Sequence, residues 1–163
     1  MYKLQLALLL ATSFCFSPNT PITDANFQDA INTCLNTNPE DGLCSDSEYG
    51  SMLDWDVSNV TNMEEAFKNR ADFNADIRGW NTSNVTNMRN IFRDATSFNQ
   101  PLNNWDVSNV TDMRSLFEGA STFNGGISNW DTGNVNDMAY MFSGASSFHQ
   151  DIGAWEVGNV TYM

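Results

Sequence analysis

Residues 55–63 read WDVSNVTNM, and close copies of this nine-residue stretch begin at Trp80, Trp105, Trp130 and Trp155. The interval between successive tryptophans is 25 residues in every case. A constant period between about 20 and 50 residues is typical of proteins built from stacked units, each of which buries its apolar side chains against its neighbours. The repeat therefore predicts a solenoid over residues 49–163, with about 4.5 coils.

Apolar residues recur in the same register throughout these copies. Columns begin at Met52, Val60, Met63, Phe67 and Phe73, and each continues at intervals of 25 residues. In a stack of coils, each column becomes a ladder through the core. We expect that no single coil folds by itself, because one coil has nothing to cover its apolar residues.

The pattern within each copy predicts one short strand followed by one short helix. Apolar residues alternate at Trp55 and Val57, as in a strand with one buried face, and neighbouring coils would pair these strands in parallel. In the third copy, Met113, Leu116 and Phe117 have helical spacing. A threonine stands where the N-cap of this helix belongs, at Thr61, Thr86, Thr111 and Thr161. The far end has residue types that tolerate a left-handed backbone, Asn69, Asp94, Gly119 and Gly144.

Two longer stretches carry a family resemblance. WDVSNVTDMRSLFEGASTFNGGISN (105–129) and MFSGASSFHQDIGAW (141–155) resemble the repeat of the BspA-type leucine-rich-repeat surface proteins. The resemblance implies an α/β repeat solenoid: a right-handed leucine-rich-repeat-like array with one short parallel β-strand and one short helix per 25-residue coil. It also implies a secreted or cell-surface protein that works in adhesion or partner binding, and it brings no catalytic residue. Two positions depart from the pattern: Arg70 replaces an alanine of the other copies, and Asn136 replaces the threonine.

The residues before the repeat predict a secretory leader. Residues 1–17 contain one lysine and then an apolar run that is too short to span a bilayer, which is the layout of a signal peptide. An uncleaved anchor or a buried strand is the alternative interpretation. At the other end, the fifth copy stops at Met163, inside a coil. We therefore expect the sequence to be truncated there, or its last coil to be covered by another molecule.

Residues 18–48 lie outside the period and predict a helical N-terminal cap, since solenoids need atypical ends. Thr23 or Asp24 is positioned to begin a helix with one apolar face. After removal of the leader, the remaining cysteines are Cys34 and Cys44. In an oxidising compartment this pair predicts a disulfide, with two free thiols as the alternative.

Charge and composition narrow the classes of function. The chain has 20 acidic and 7 basic residues, and its net charge of −13 would repel nucleic acid and anionic membranes. We therefore predict no nucleic-acid partner, and no membrane span in the mature chain. With one histidine, no Ser-His-Asp spacing and no Gly-rich phosphate loop, the sequence also predicts neither an enzyme nor a cofactor or metal site.

Two columns of polar residues are candidates for function. The residue after each tryptophan points away from the core and forms a possible interaction ladder, Asp56, Asn81, Asp106, Asp131 and Glu156. One carboxylate per coil is too few for the oxygen shell of calcium, so a solvated face is favoured over a calcium site. The second column consists of candidate N-glycosylation sites, Asn59, Asn84, Asn109 and Asn159. Glycans on every coil would collide, which favours instead an asparagine ladder that satisfies backbone groups.

These observations predict a secreted or cell-surface module that binds a protein or glycan on another cell or in the matrix, without catalysis. Two alternatives remain at this stage. One is a purely structural array within an envelope or matrix, and the other is a calcium-dependent binding module.

Overall fold

The computed structural model describes residues 20–163, so the predicted leader lies outside the described residues. The helix α1 spans Phe27–Thr37, and a single 3-10 turn spans Met52–Asp54. The repeat follows. We number its units from each tryptophan: unit 1 (55–79), unit 2 (80–104), unit 3 (105–129), unit 4 (130–154) and the start of unit 5 (155–163).

Helix α1 covers one end of the repeat. Its buried face contains Phe27, Ala30, Ile31, Cys34 and Leu35. The helix ends at Thr37 because Asn38 precedes a proline and adopts an extended backbone, with φ −139 and ψ 86. The predicted disulfide between Cys34 and Cys44 is present and ties the helix to the loop that leads into the repeat.

The predicted N-cap of α1, at Thr23 or Asp24, is wrong by three or two residues. The helix begins at Phe27 and its N-cap position is Asn26, while the hydroxyl of Thr23 donates to the side chain of Asn26 at 3.3 Å. The carboxylate of Asp24 instead accepts hydrogen bonds from Thr61 in unit 1. Asp24, which has the sequence pattern of a helix cap, therefore joins the N-terminal region to the repeat.

The predicted helix in each unit is also wrong. The segment has successive tight turns over residues 63–70, 88–95, 113–120 and 138–145, which we call the turn ribbon. Each ribbon segment begins at a methionine. The second residue after this methionine has a positive φ, as at Glu65 (60°) and Ser115 (54°), and an α-helix cannot continue through such a backbone conformation. The left-handed conformation expected at Asn69, Asp94, Gly119 and Gly144 is confirmed, with φ of 60°, 57°, 71° and 75°, but these residues close the ribbon rather than a helix.

Hydrogen bonds explain why the ribbon replaces a helix. In unit 1, the N–H of Ala66 donates to Met63 in its own turn, at 3.2 Å. The N–H groups of Glu65 and Phe67, in contrast, donate to carbonyls 24 residues further on, at 3.0 and 2.9 Å. Alternate amides therefore leave the unit, whereas an α-helix keeps all of them inside its own segment. Each unit gains backbone hydrogen bonds to its neighbour in this way.

The predicted strand at Trp55–Val57 and its copies is a third correction. The carbonyl of Val57 accepts from the N–H of Val60 in a turn of its own unit, at 2.9 Å, so it does not join a ladder between units. The parallel bridges of residues 20–163 are single pairs that lie further along, at Asn62 with Asn87, Asn87 with Asp112, Asp112 with Asp137, and Asp137 with Tyr162. A turn this close to the tryptophan leaves no room for a longer strand.

The threonines work in these inter-unit contacts and not as helix caps. The N–H and the hydroxyl of Thr86 both donate to the carbonyl of Thr61, at 2.8 and 3.2 Å. Thr111 makes the same pair of bonds to Thr86. In unit 4 the equivalent Asn136 keeps the backbone bond alone, at 2.8 Å. The threonine column is therefore a ladder, because every member after Thr61 binds the unit before it.

Aromatic columns form the core between the ribbon and the tryptophans. Phe67, Phe92 and Phe117 are fully buried, and their rings stack from unit to unit at centroid distances of 5.6 and 5.5 Å. Trp55 and Trp80 stack at 6.0 Å. Such aromatic pairs contribute roughly 0.5–1.5 kcal/mol each beyond their buried area. The 25-residue register is therefore held by the core as well as by the backbone, while the right-handed leucine-rich-repeat-like class stays a prediction.

Candidate functional site

The residues predicted as an interaction ladder lie in one exposed column, which we call the outward row: Asp56, Asn81, Asp106, Asp131 and Glu156. The first four share one local geometry. A side-chain oxygen of each accepts from the backbone N–H two residues further on, at 3.0, 3.2, 3.0 and 3.1 Å. This turn is typical of aspartate and asparagine, and it fixes the side chain while leaving the second oxygen or the amide nitrogen available.

The hydrogen bonds of the outward row favour the charged form of its carboxylates. The hydroxyl of Ser108, at 2.7 Å, and then its N–H lower the pKa of Asp106, against a smaller opposing effect of burial. Ser58 lowers the pKa of Asp56 in the same way. Both side chains are therefore acceptors at neutral pH, and neither is suited to donate a proton.

The ion pairs of residues 20–163 lie outside the outward row. Ion pairs within residues 20–163 lie on the turn ribbon or just after it, and several join neighbouring units, such as Arg89 with Glu64 at 3.8 Å and Arg114 with Asp137 at 3.5 Å. None of the pairs in this part of the chain includes a residue of the outward row. The carboxylates of the outward row therefore have no ion-pair partner among residues 20–163.

The asparagines of the candidate glycosylation sites have a structural role. The side-chain amides of Asn84, Asn109 and Asn159 donate to backbone carbonyls of the preceding unit at 2.8, 2.8 and 2.6 Å. Asn134, which is not followed by a threonine, does the same at 2.7 Å. Asn59 differs, because its side chain donates to no described residue. Glycosylation at these positions stays a prediction.

Sequence reasoning missed a third polar column, Asn74, Asn99, Asn124 and His149. The side-chain oxygen of Asn74 accepts from the N–H of Asn99 at 2.9 Å, and Asn99 binds Asn124 in the same way at 2.8 Å. His149 closes the column with hydrogen bonds to Asn124 and to the carbonyl of Ser147. The sequence does contain a pattern that could have revealed this column, since each member directly follows a core phenylalanine. These contacts use both ring nitrogens and the backbone N–H of His149.

Among residues 20–163, no three His, Cys, Asp or Glu side chains come together in a way that would hold a metal ion. Over the same residues, no helix has the length and apolar character needed to cross a bilayer.

Comparison with known families identifies the repeat. A family described as "Mycoplasma protein of unknown function, DUF285" matches residues 43–128 and 102–163. The chain belongs to the DUF285 family. The two DUF285 matches overlap and together extend from the cap loop next to Cys44 to the last unit, so they cover every copy of the repeat. No curated protein and no solved structure matches the chain.

Proposed function

We propose that this DUF285 chain is a secreted or cell-surface module that binds a protein or glycan through the outward row and catalyses no reaction. The fold proposed with it is a right-handed, leucine-rich-repeat-like solenoid of the BspA type. The single parallel bridges and the aromatic columns that link each unit to the next support that arrangement.

The observation that carries the functional proposal is the repetition of one exposed turn. Asp56, Asn81, Asp106 and Asp131 present a fixed polar group in consecutive units, with the same hydrogen bond holding each of them. Formation of the turn does not require an acidic residue, since Asn81 makes the same hydrogen bond without a charge. A row of carboxylate acceptors at constant spacing, interrupted by the amide of Asn81, suits a large partner with several donors, because many weak contacts then add up.

The test removes the charge of the row without disturbing its turns. In the triple variant Asp56→Asn, Asp106→Asn and Asp131→Asn, each asparagine can keep the bond that Asn81 already makes. A matched control removes three carboxylates elsewhere, with Asp46→Asn, Asp72→Asn and Asp151→Asn. Both variants and the original chain are applied to arrays of glycans and extracellular proteins, and any hit is measured in solution.

We expect the row variant to lose binding by at least about tenfold, since each charged contact contributes more than a neutral one, and the control to bind like the original chain. Equal losses in both variants would show a nonspecific effect of charge and contradict the proposal. Arrays with no hit for any of the three chains would favour a purely structural array instead.

A further inference from the structure

A small cavity of about 170 Å³ lies where the N-terminal region meets unit 1. Its walls include Ile22 and Tyr49 on one side, and Asp54, Trp55, Asp56 and Asn59 on the other. The position follows from the fold. In later units, the preceding unit covers the face of the tryptophan that is directed towards the N-terminal region. In unit 1 the residues before the repeat cover this face instead, and they leave a gap. A volume of this size corresponds to about six water molecules.

Two aromatic rings form the apolar part of the cavity. The rings of Tyr49 and Trp55 meet edge to face, with centroids 6.4 Å apart and an angle of 67°. The indole N–H of Trp55 is already used, because it donates to the carbonyl of Gly50 at 3.1 Å. Tyr49 is 8% exposed as a whole, and its hydroxyl is open to solvent. The cavity therefore combines two aromatic side chains with one solvent-accessible hydroxyl.

The acidic part of the cavity is peculiar to unit 1. Asp54 makes neither a hydrogen bond nor an ion pair through its carboxylate within the described part of the chain, and the positions that match it in the other units are Gly79, Asn104, Asn129 and Ala154. Asp56 uses one oxygen for its turn and has a second one. Asp54 is exposed, so unit 1 has a carboxylate available at a position where no other unit has one.

Asn59 adds a polar group that the other units do not offer. Asn84, Asn109, Asn134 and Asn159 each give their side-chain amide to the preceding unit. No carbonyl of residues 20–58 takes that place for Asn59, whose side chain lines the cavity. Desolvation, followed by the charges of Glu48 and Asp29, raises the pKa of Tyr49.

We propose that this cavity binds an alkylammonium group, namely the side chain of a lysine on a partner protein. The carboxylates of Asp54 and Asp56 balance its charge, the aromatic rings of Tyr49 and Trp55 favour a cation next to their faces, and the methylene stem packs on Ile22. The lysine and arginine residues of the described chain lie at position 68 and beyond, and none of them lines the cavity. The site shares Asp56 with the outward row, but it goes beyond the row because it recognises one side chain and not an extended surface.

The experiment uses the processed, secreted chain and three small probes in calorimetric or NMR titrations. The probes are Nα-acetyl-lysine methylamide, its Nε-acetylated form, which has lost the charge, and choline. We expect saturable binding of the lysine probe and binding at least about tenfold weaker for the acetylated one. Stronger binding of choline than of the lysine probe would overturn the assignment to lysine. Absence of saturable binding up to tens of millimolar would show that the cavity holds only water.

Variants locate the site. Asp54→Asn is expected to weaken binding of the lysine probe by about tenfold, and Asp56→Asn to weaken it as well. Asp72→Asn is the control, since it removes an exposed carboxylate that belongs neither to the cavity nor to the outward row, and we expect no loss. Circular dichroism checks that each variant keeps its fold. An effect of Asp72→Asn as large as that of Asp54→Asn would overturn the proposal. Binding of these probes is independent of array hits, so failure of the cavity and failure of the outward row are distinguishable.

Discussion

The carboxylate of Asp24 accepts hydrogen bonds from both the backbone N–H and the hydroxyl of Thr61, at 2.8 and 2.6 Å. In the next unit, the same two groups of Thr86 donate to the carbonyl of Thr61. A side chain of the N-terminal region thus does for unit 1 what a backbone carbonyl does for every later unit. It also accepts from the N–H of Asn62, at 3.1 Å. One aspartate therefore satisfies the donors that the first unit of a stack would otherwise leave without partners.

We predict that Asp24→Ala lowers the free energy of unfolding by about 1–3 kcal/mol, because it removes a charged acceptor of three hydrogen bonds. Asp24→Asn should cost less, since its side-chain oxygen can still accept from the backbone. Urea denaturation of the three chains measures the difference. A loss in Asp24→Asn as large as in Asp24→Ala would show that charge alone, and not the hydrogen bonds, matters here.

The same contact predicts a dependence on pH. Burial alone would raise the pKa of Asp24, but the hydrogen bonds from Thr61 and Asn62 outweigh this and lower it. A lowered folded-state pKa means that the stabilisation is complete above the unfolded-state value and is lost as the pH falls through the folded-state value. The difference in melting temperature between the original chain and Asp24→Ala should therefore be constant near neutral pH and shrink in strong acid. A difference that grows in acid would contradict this prediction.

The asparagine column offers an internal comparison. Asn109→Ala removes the bond to the carbonyl of Ser83 and should cost about 1 kcal/mol of unfolding free energy. Asn59→Ala, at the equivalent position of unit 1, removes no bond to a described residue and should be close to neutral. Chemical denaturation of both variants checks the difference. Equal costs would mean that the side-chain bond between units contributes nothing to the stability of the stack.

The period and the core columns could be read from the sequence, but the backbone path could not. Met113, Leu116 and Phe117 have the spacing of a helix, and the turn ribbon produces the same spacing by a different route. The ribbon requires a positive φ at Ser115 and Tyr140, although neither residue type favours this conformation. Backbone hydrogen bonds to the next unit offset the conformational cost. The prediction that Thr61 and its copies cap a helix was wrong for a related reason. A threonine that precedes an apolar segment has the same sequence pattern whether it caps a helix or binds the neighbouring unit.

The positions of the outward row were likewise visible in the repeat, because the residue after a buried tryptophan has to face outward. The cavity beside unit 1 was not visible. It joins Ile22 and Tyr49 to Asp54, and contacts between a repeat and a segment outside it have no period to reveal them. For the same reason the sequence showed Arg70 only as an anomaly. In the structure, its guanidinium donates to the side chain of Asn32 in α1, at 2.5 Å.

This contact makes Arg70 specific to the end of the stack. Arg70→Ala, which restores the residue of the other units, should cost only about 1 kcal/mol, the value of one partly exposed hydrogen bond. Ala95→Arg, which makes the reverse change in unit 2, should cost more than about 3 kcal/mol, since Ala95 is fully buried and has neither space nor a partner for a cation. Thermal and urea denaturation measure both. Similar costs for the two variants would contradict the idea that end position decides what this site tolerates.

The last prediction concerns the carboxylate of Asp106. Its pKa is held below the ordinary value, first by the hydroxyl of Ser108 and then by the backbone N–H of the same residue. Ser108→Ala removes the larger of these effects and should raise the pKa towards the ordinary value, while Ser128→Ala, whose hydroxyl lies next to Asn129, should leave it unchanged. Titration of the side-chain carboxyl carbon by NMR measures the pKa directly. Because the carboxylate is stabilised in the folded state, its contribution to stability is present above the unfolded-state pKa and is lost on acidification, and Ser108→Ala should shift that loss to higher pH. An unchanged pKa in Ser108→Ala would show that the backbone N–H alone fixes the charge of the outward row.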